Sequence, residues 1–358
     1  MSATAKSKQN NFSEAVLNWF HVYGRKNLPW QQDPNPYRVW ISEIMLQQTQ
    51  VSTVIPYFEK FMQRFPDIEE LALADIDQVL HYWTGLGYYA RARNLHKTAR
   101  LIHTQFKGIF PTSIEALTEL PGIGRSTAGA IIALASNSRA TILDGNVKRV
   151  LCRYNCIEGW AQQRQTLNEL WSLAERLTPA TDCRAYTQAM MDLGATLCTR
   201  SKPQCSVCPL QDSCQAYLSN RTTEFPKKKT KKLIPQKSTQ MLILHSRDGQ
   251  KVLLEQRPPQ GIWGGLWSFP EIQEQDTIEH FLNSHGFSVR NKPVQWDDIP
   301  HTFSHFRLII KPLLLTLSSE PAAIMENKGW HWYDLDKPSE LGLAAPVLTI
   351  LEKLGNRS

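Results

Sequence analysis

The chain has 358 residues, 42% of them hydrophobic, and its 40 lysines and arginines against 33 acidic residues give a formal charge of +7 and a pI near 9.0. That length predicts two domains, each with its own core, and the positive balance suits a polyanionic partner. No apolar run reaches bilayer length and Met1 to Asn11 lacks the apolar centre of a secretion signal, so we expect no membrane association and a cytoplasmic protein, nucleoid-associated if bacterial, whose seven cysteines serve as thiols or metal ligands rather than disulfides.

From Phe12 to about Ser219 apolar residues recur at helical spacing, as in Ala15 and Trp19 or Ile114, Leu117 and Leu120. Turn formers at Pro29, Pro66, Gly85 to Gly87 and Pro121 to Gly124 punctuate the run. This half reads as all-α. Glu43 falls in a predicted helix, Tyr37 to Val51, among Trp40, Ile41, Ile44, Met45 and Leu46. A carboxyl in that company holds its proton more tightly than in water, as a general acid must, although an isolated helical Glu more often faces solvent.

Leu120-Pro121-Gly122-Ile123-Gly124-Arg125-Ser126-Thr127 ends one helix and opens the next, Ala128 to Ala135, as a helix–hairpin–helix. Glycines before a helix N-terminus leave backbone N–H groups free for a phosphate oxygen, with the Ser126 and Thr127 hydroxyls beside them; such a turn positions DNA without reading its sequence. Asp144, just before Gly145-Asn146-Val147, reads first as a helix N-cap. Cys198, Cys205, Cys208 and Cys214 then form C-x6-C-x2-C-x5-C with no histidine inside the loop, which fits one [4Fe-4S] cluster better than zinc and sets Arg200 and Lys202 near a phosphate. Cys152, Cys156 and Cys183 have no such spacing and read as ordinary thiols.

Between Arg221 and Ser238 come Lys227, Lys228, Lys229, Lys231 and Lys232, a solvated basic linker able to lie along a phosphate backbone. Beyond it, Met241 to His245, Lys251 to Gln256 and Phe306 to Leu317 read as strands, and Thr277 to Ser284 and Leu343 to Leu354 as helices. The second half is therefore α+β. The boundaries are 1–220 for the helical domain, 221–237 for the linker and 238–358 for the second domain.

The hairpin, Asp144 and the four-cysteine loop together resemble the endonuclease III superfamily of base-excision glycosylases. Within it, Pro29-Trp30, the run Val39 to Val51 and Gly85 to Arg93 are similar to the adenine DNA glycosylases. The resemblance implies a six-helix part at about 31–137 and a cluster-bearing part at about 12–30 and 138–220. It implies removal of adenine from double-stranded DNA containing A:8-oxoguanine or A:G mispairs by a monomeric enzyme. Glu43 matches the family's acid, Asp144 the carboxylate that stabilises the cationic sugar, and Asn146 its orienting neighbour. Gln48 and Tyr88 stand at the wedge positions that help extrude the base. Relatives that also cut the strand carry a lysine where this chain has Ser126, so a built-in lyase step is not expected.

Gly265 and Glu271 open a Nudix-like box, yet His280, Asn283 and Ser284 replace its carboxylates, so metal-dependent hydrolysis should be lost and the fold kept. Phe303, Ser304 and His305 match the family's 8-oxoguanine recognition loop, the plainer reading being a β-turn with Phe303 in the core. Trp263, Trp267, Trp330 and Trp332 read as core. Two rivals stay open at this point: a bifunctional glycosylase/lyase acting on oxidised pyrimidines, and a catalytically silent DNA-binding iron–sulfur protein.

Overall fold

The computed structural model describes residues 3–229, 233–272, 277–319 and 329–355, with side chains from residue 11 onward. Lys231 and Lys232 of the basic segment lie outside the described residues. No described helix is long and apolar enough to cross a membrane.

Two compact units emerge, Met1–Leu73 with Asn94–Lys231, and Ala74–Arg93 with Lys232–Ser358. The first is all-helical. Its centre is the pairing of helix Pro36–Leu46 with helix Arg125–Ser136, whose small residues Ala128, Ala130 and Ala133 are buried. At Gly129 of the second helix the Thr141 carbonyl oxygen lies 2.2 Å from where a Cβ would stand, so only glycine lets the segment before Asp144 lie so close. Trp40, Phe58, Phe61 and Phe65 fill the surrounding core.

The predicted helix Tyr37 to Val51 is corrected: it ends at Leu46, and a second helix starts at Val51. The cause is Gln48, whose φ of +59° lies in the left-handed region that an L side chain enters at a cost, so no single helix can run through it.

The linker is also corrected. Arg221 pairs with Glu158 at 3.0 Å and Glu224 at 2.9 Å, and Lys227 reaches the same two carboxylates at 3.4 and 3.1 Å. Trp160 and Lys227 form a β-bridge, and Phe225 is buried. The described stretch up to Lys229 is thus held to the helical unit by aromatic packing and charge pairing. Arg221 and Lys227 are already engaged, leaving Lys228 exposed.

The second unit carries a sheet that is eight-stranded among the described residues. Strand Gln236–His245 pairs in parallel with Arg307–Thr316 over its whole length, from Gln236 opposite Arg307 to His245 opposite Thr316. Strand Lys251–Gln256 joins antiparallel strands on both sides, and helix Ile278–His285 packs Leu282 into a core with Leu242, Leu253, Leu315 and Trp330. Thr277 caps that helix by accepting from the His280 N–H, and Gly286 ends it, as the box register requires.

Residues 74–93 group with the sheet: the Tyr89 hydroxyl donates to the Leu343 carbonyl at 2.9 Å, the Trp267 indole N–H donates to Asp77 at 3.2 Å, and Gly342 abuts Leu80. Buried contacts rather than chain continuity define a unit, and periodicity cannot report them.

Candidate active site

Glu43 lies in the last turns of helix Pro36–Leu46, with Ile44 and Met45 buried beside it. It makes no hydrogen bond or ion pair with any described residue, and burial, then the charge of Asp144, pushes its carboxyl up to about 8. Both residues are intermediate in exposure, while their carboxyl groups are buried.

Asp144 has the opposite surroundings. As expected it caps helix Gly145–Tyr154, its Oδ1 accepting from the Val147 N–H at 2.8 Å while Oδ2 accepts from Asn146 Nδ2 at 3.2 Å. Burial raises its carboxyl too, but the N–H donors and the Arg149 charge pull it back. Asp144 thus has donors and a cation beside it and Glu43 has neither among the described residues, which favours the proton on Glu43 over Asp144.

The hairpin holds this geometry. Gly122 has φ +80° and needs to be glycine, whereas Gly124, at φ −89°, is the helix N-cap in a conformation any residue adopts. A Cβ there would meet nothing within 4 Å, and no side chain among the described residues caps the helix start, so its first-turn N–H groups have no side-chain acceptor there. Ser126 accepts from the Leu143 N–H at 2.9 Å, tying the helix start to the residue before Asp144; its hydroxyl is partly structural rather than purely a phosphate donor.

Beyond the reach of sequence reading lies a set of arginines. Arg149 donates to Asn146 Oδ1 at 2.7 Å, to the Gly194 carbonyl at 2.6 Å and to the Cys198 carbonyl at 2.7 Å, so the group orienting Asp144 is continuous with the cysteine loop. Arg153, 3% exposed, donates to Cys198 Sγ at 3.3 Å and to the Thr199 and Arg200 carbonyls. A buried Asp192 accepts from Arg25 and Gln188, joining the segment just after helix Ala3–Tyr23 to helix Cys183–Asp192. The helical spacing of Arg149 and Arg153 is visible in the sequence, but the carbonyls they bind are not.

Cys198, Cys205, Cys208 and Cys214 line one cavity together with Val150, Arg153 and Leu210. Among the described residues no three His, Cys, Asp or Glu side chains converge tightly enough for a single metal ion. Four thiolates with no histidine or carboxylate among the cavity-lining residues form a donor set that fits a [4Fe-4S] cluster. When bound, it fixes the loop bearing the exposed Arg200 and Lys202. Cys208→Ala is expected to lose cluster iron, lower the melting temperature and weaken duplex binding; iron analysis, thermal melts and binding titration check this, with unchanged iron as the contrary result.

Gln48 is exposed, and Tyr88 is 49% exposed with φ +49° and the Arg91 guanidinium 5.4 Å from its ring. Neither side chain is buried in the core. In the second unit, residues 303–306 form the tip of a hairpin between strands Ile299–Thr302 and Arg307–Thr316, closed by the Phe303 N–H to the Phe306 carbonyl at 2.9 Å. Phe303 stacks on Phe306 at 4.6 Å with Trp263 behind it, and Ser304 and His305 are exposed at the tip. Turn and exposed loop coexist. A cavity of about 340 Å³ beside Trp30, Val39 and Gln188 is lined by neither carboxylate and is not assigned the base.

Comparison with known proteins agrees with these features. Residues 41–176 match the model for the HhH-GPD superfamily base excision DNA repair protein, 198–214 that for the iron-sulfur binding domain of endonuclease III, and 240–353 that for the NUDIX domain. An adenine DNA glycosylase of Buchnera aphidicola (subsp. Baizongia pistaciae) is 41% identical over 344 residues, 96% of each chain. The human adenine DNA glycosylase is 31% identical, covering 90% of this chain and 70% of that one. Among solved structures, a thermostable thymine-DNA glycosylase superposes over 61% of this chain and all of its own, with a TM-score of 0.55 and 28% identity.

Proposed function

The chain belongs to the adenine DNA glycosylases, enzymes of base-excision repair acting on DNA, and from that premise we propose that it is a monomeric, monofunctional enzyme that hydrolyses the N-glycosidic bond of adenine opposite 8-oxoguanine or guanine in cytoplasmic duplex DNA. One observation supports the mechanism: Glu43 is buried with no hydrogen-bond donor among the described residues, whereas Asp144 accepts from the Val147 N–H and from Asn146.

Adenine leaves poorly as an anion. Glu43 therefore protonates N7, weakening the bond to C1′, and Asp144 stabilises the oxocarbenium charge that develops on the sugar. With adenine gone, the Glu43 carboxylate takes a proton from the attacking water. Asn146 and Arg149 hold Asp144 in place. Extruding the adenine costs a few kcal/mol of stacking, which Gln48 and Tyr88 offset by filling the space it leaves. Their left-handed backbones fit strain stored at a working site. Free N–H groups after Gly124 hold a backbone phosphate with Thr127.

Oxidation turns guanine N7 from acceptor to donor, so the exposed Ser304 hydroxyl can accept from 8-oxoguanine alone, with His305 at 3.3 Å to take the Ser304 proton and Phe303 bracing the turn. Adenine release should rank A:8-oxoguanine above A:G and leave A:T intact, without efficient covalent capture by borohydride. Ser304→Ala should cut the 8-oxoguanine over guanine preference by about fivefold, the worth of one hydrogen bond. Efficient borohydride trapping with adenine retained would favour the oxidised-pyrimidine lyase instead.

A further inference from the structure

Tyr88 stands exposed on the loop between helices Ile76–Trp83 and Ala90–Gln105. A side chain that fills the space of an extruded base has to keep its place against a stacked duplex, and on an unbraced loop it would first have to be ordered, at a cost to the rate. The loop carries its own bracing. Gly85 at φ +99° and Gly87 at φ +69° turn the chain, and Tyr88 follows at φ +49°, a conformation that persists in an L residue only where its neighbours enforce it.

Arg91 is the neighbour that does so. Its Nη2 donates to the Leu86 and Gly87 carbonyls, each at 3.2 Å, and its backbone N–H donates to the Tyr88 carbonyl at 2.8 Å. Peptide groups on both sides of Tyr88 are therefore tied to one residue. The guanidinium also lies 5.4 Å from the Tyr88 ring and 5.3 Å from the ring of Trp83, which is fully buried. The Trp83 indole N–H donates to the same Gly87 carbonyl at 3.2 Å, so a fixed ring, a cation and an exposed ring stand in one chain of contacts. At the base of the loop the Tyr89 hydroxyl accepts from the Gly85 N–H at 3.3 Å and donates to the Leu343 carbonyl at 2.9 Å. Burial lowers the Arg91 guanidinium to about 10, which leaves it charged at neutral pH.

We infer that Arg91 is a positioning residue for adenine extrusion, holding the Tyr88 ring ready to enter the duplex. The inference rests on the wedge reading of Tyr88. Ordering the wedge before the encounter speeds extrusion without any new contact to DNA. The residue type matters: a planar guanidinium donates to carbonyls and meets aromatic faces at once, whereas a lysine ammonium brings the charge without that shape. A cation whose donors are turned onto loop carbonyls also contributes little to phosphate binding, which separates this role from plain attraction to DNA.

Single-turnover adenine release from an A:8-oxoguanine duplex, at saturating enzyme, by Arg91→Ala, Tyr88→Ala and the double variant tests the inference. Tyr88→Ala should slow release by about tenfold, the worth of one aromatic stack on a base. Arg91→Ala should slow it at least about threefold, and the double variant should stay within about twofold of Tyr88→Ala alone, because a residue acting through Tyr88 has nothing left to position. Arg91→Lys, which keeps the charge, should also release adenine more slowly, with the salt dependence of duplex affinity unchanged; it decides the matter if Arg91→Ala does not fold. An Arg91→Ala or Arg91→Lys protein with the wild-type release rate overturns the inference, as does an Arg91→Ala loss that persists in full in the Tyr88→Ala background. A Tyr88→Ala protein that releases adenine at the wild-type rate removes the wedge reading, and the inference falls with it; slow Tyr88→Ala with a fully additive Arg91→Ala removes the inference alone.

Discussion

Glu43→Gln is expected to slow single-turnover adenine release by about 1,000-fold or more, the upper part of the range for removing a general acid, while duplex affinity is unchanged. The amide keeps size and polarity but cannot give up a proton at this pH. The same change should stabilise the fold. A carboxyl at about 8 when folded against an ordinary 4.5 binds its proton more tightly in the native state, so its contribution to stability is full below 4.5 and lost as pH rises toward 8. At neutral pH that loss is roughly 3 kcal/mol, which glutamine does not incur. A melting temperature that rises as activity collapses separates a catalytic role from a structural one. A variant that releases adenine at the wild-type rate contradicts the mechanism.

Asp144→Asn carries the second large effect. Asparagine caps a helix about as well as aspartate, so stability should hardly move, yet the charge facing the sugar is gone and release should fall by about 100- to 1,000-fold. A further consequence distinguishes the two roles of this residue. Because the Asp144 charge helps hold the Glu43 proton, its removal should let Glu43 ionise at lower pH. Thermal melts and pH-dependent kinetics on one variant therefore resolve the cap from the chemistry. Unchanged kinetics would reduce Asp144 to a cap.

What the sequence disclosed follows from where each signal resides. The four cysteines, the Leu120 to Thr127 hairpin and the Asp144 cap are local patterns, and local patterns survive in a string of letters. Glu43 was legible for a similar reason, since the apolar residues that desolvate it are its own helical neighbours. The break after Leu46 was hidden because Gln48 is an ordinary residue in an unusual backbone region, with no glycine to announce it. Arg149 and Arg153 escaped notice because surface and buried arginines look alike until the carbonyls of residues 194–200 are seen to surround them. The grouping of residues 74–93 with the sheet depends on contacts such as Tyr89 with Leu343, more than 250 positions apart in the chain. The exposure of Gln48 and Tyr88 shows the same limit, since residue type alone does not tell a surface side chain from a buried one.

Gln48 and Tyr88 hold left-handed backbones, and Glu43 is a buried carboxyl without a donor among the described residues. A fold optimised only for stability would remove each.

Single-turnover adenine release from an A:8-oxoguanine duplex, followed across pH for the wild-type chain and Asp144→Asn, tests the proton-transfer account most directly. The wild-type rate should hold on the neutral side and decline as pH rises through about 8, where Glu43 loses its proton, and the decline should begin at lower pH in the variant. A wild-type rate that stays level or climbs well beyond that pH, or a decline that Asp144→Asn leaves in place, would contradict it.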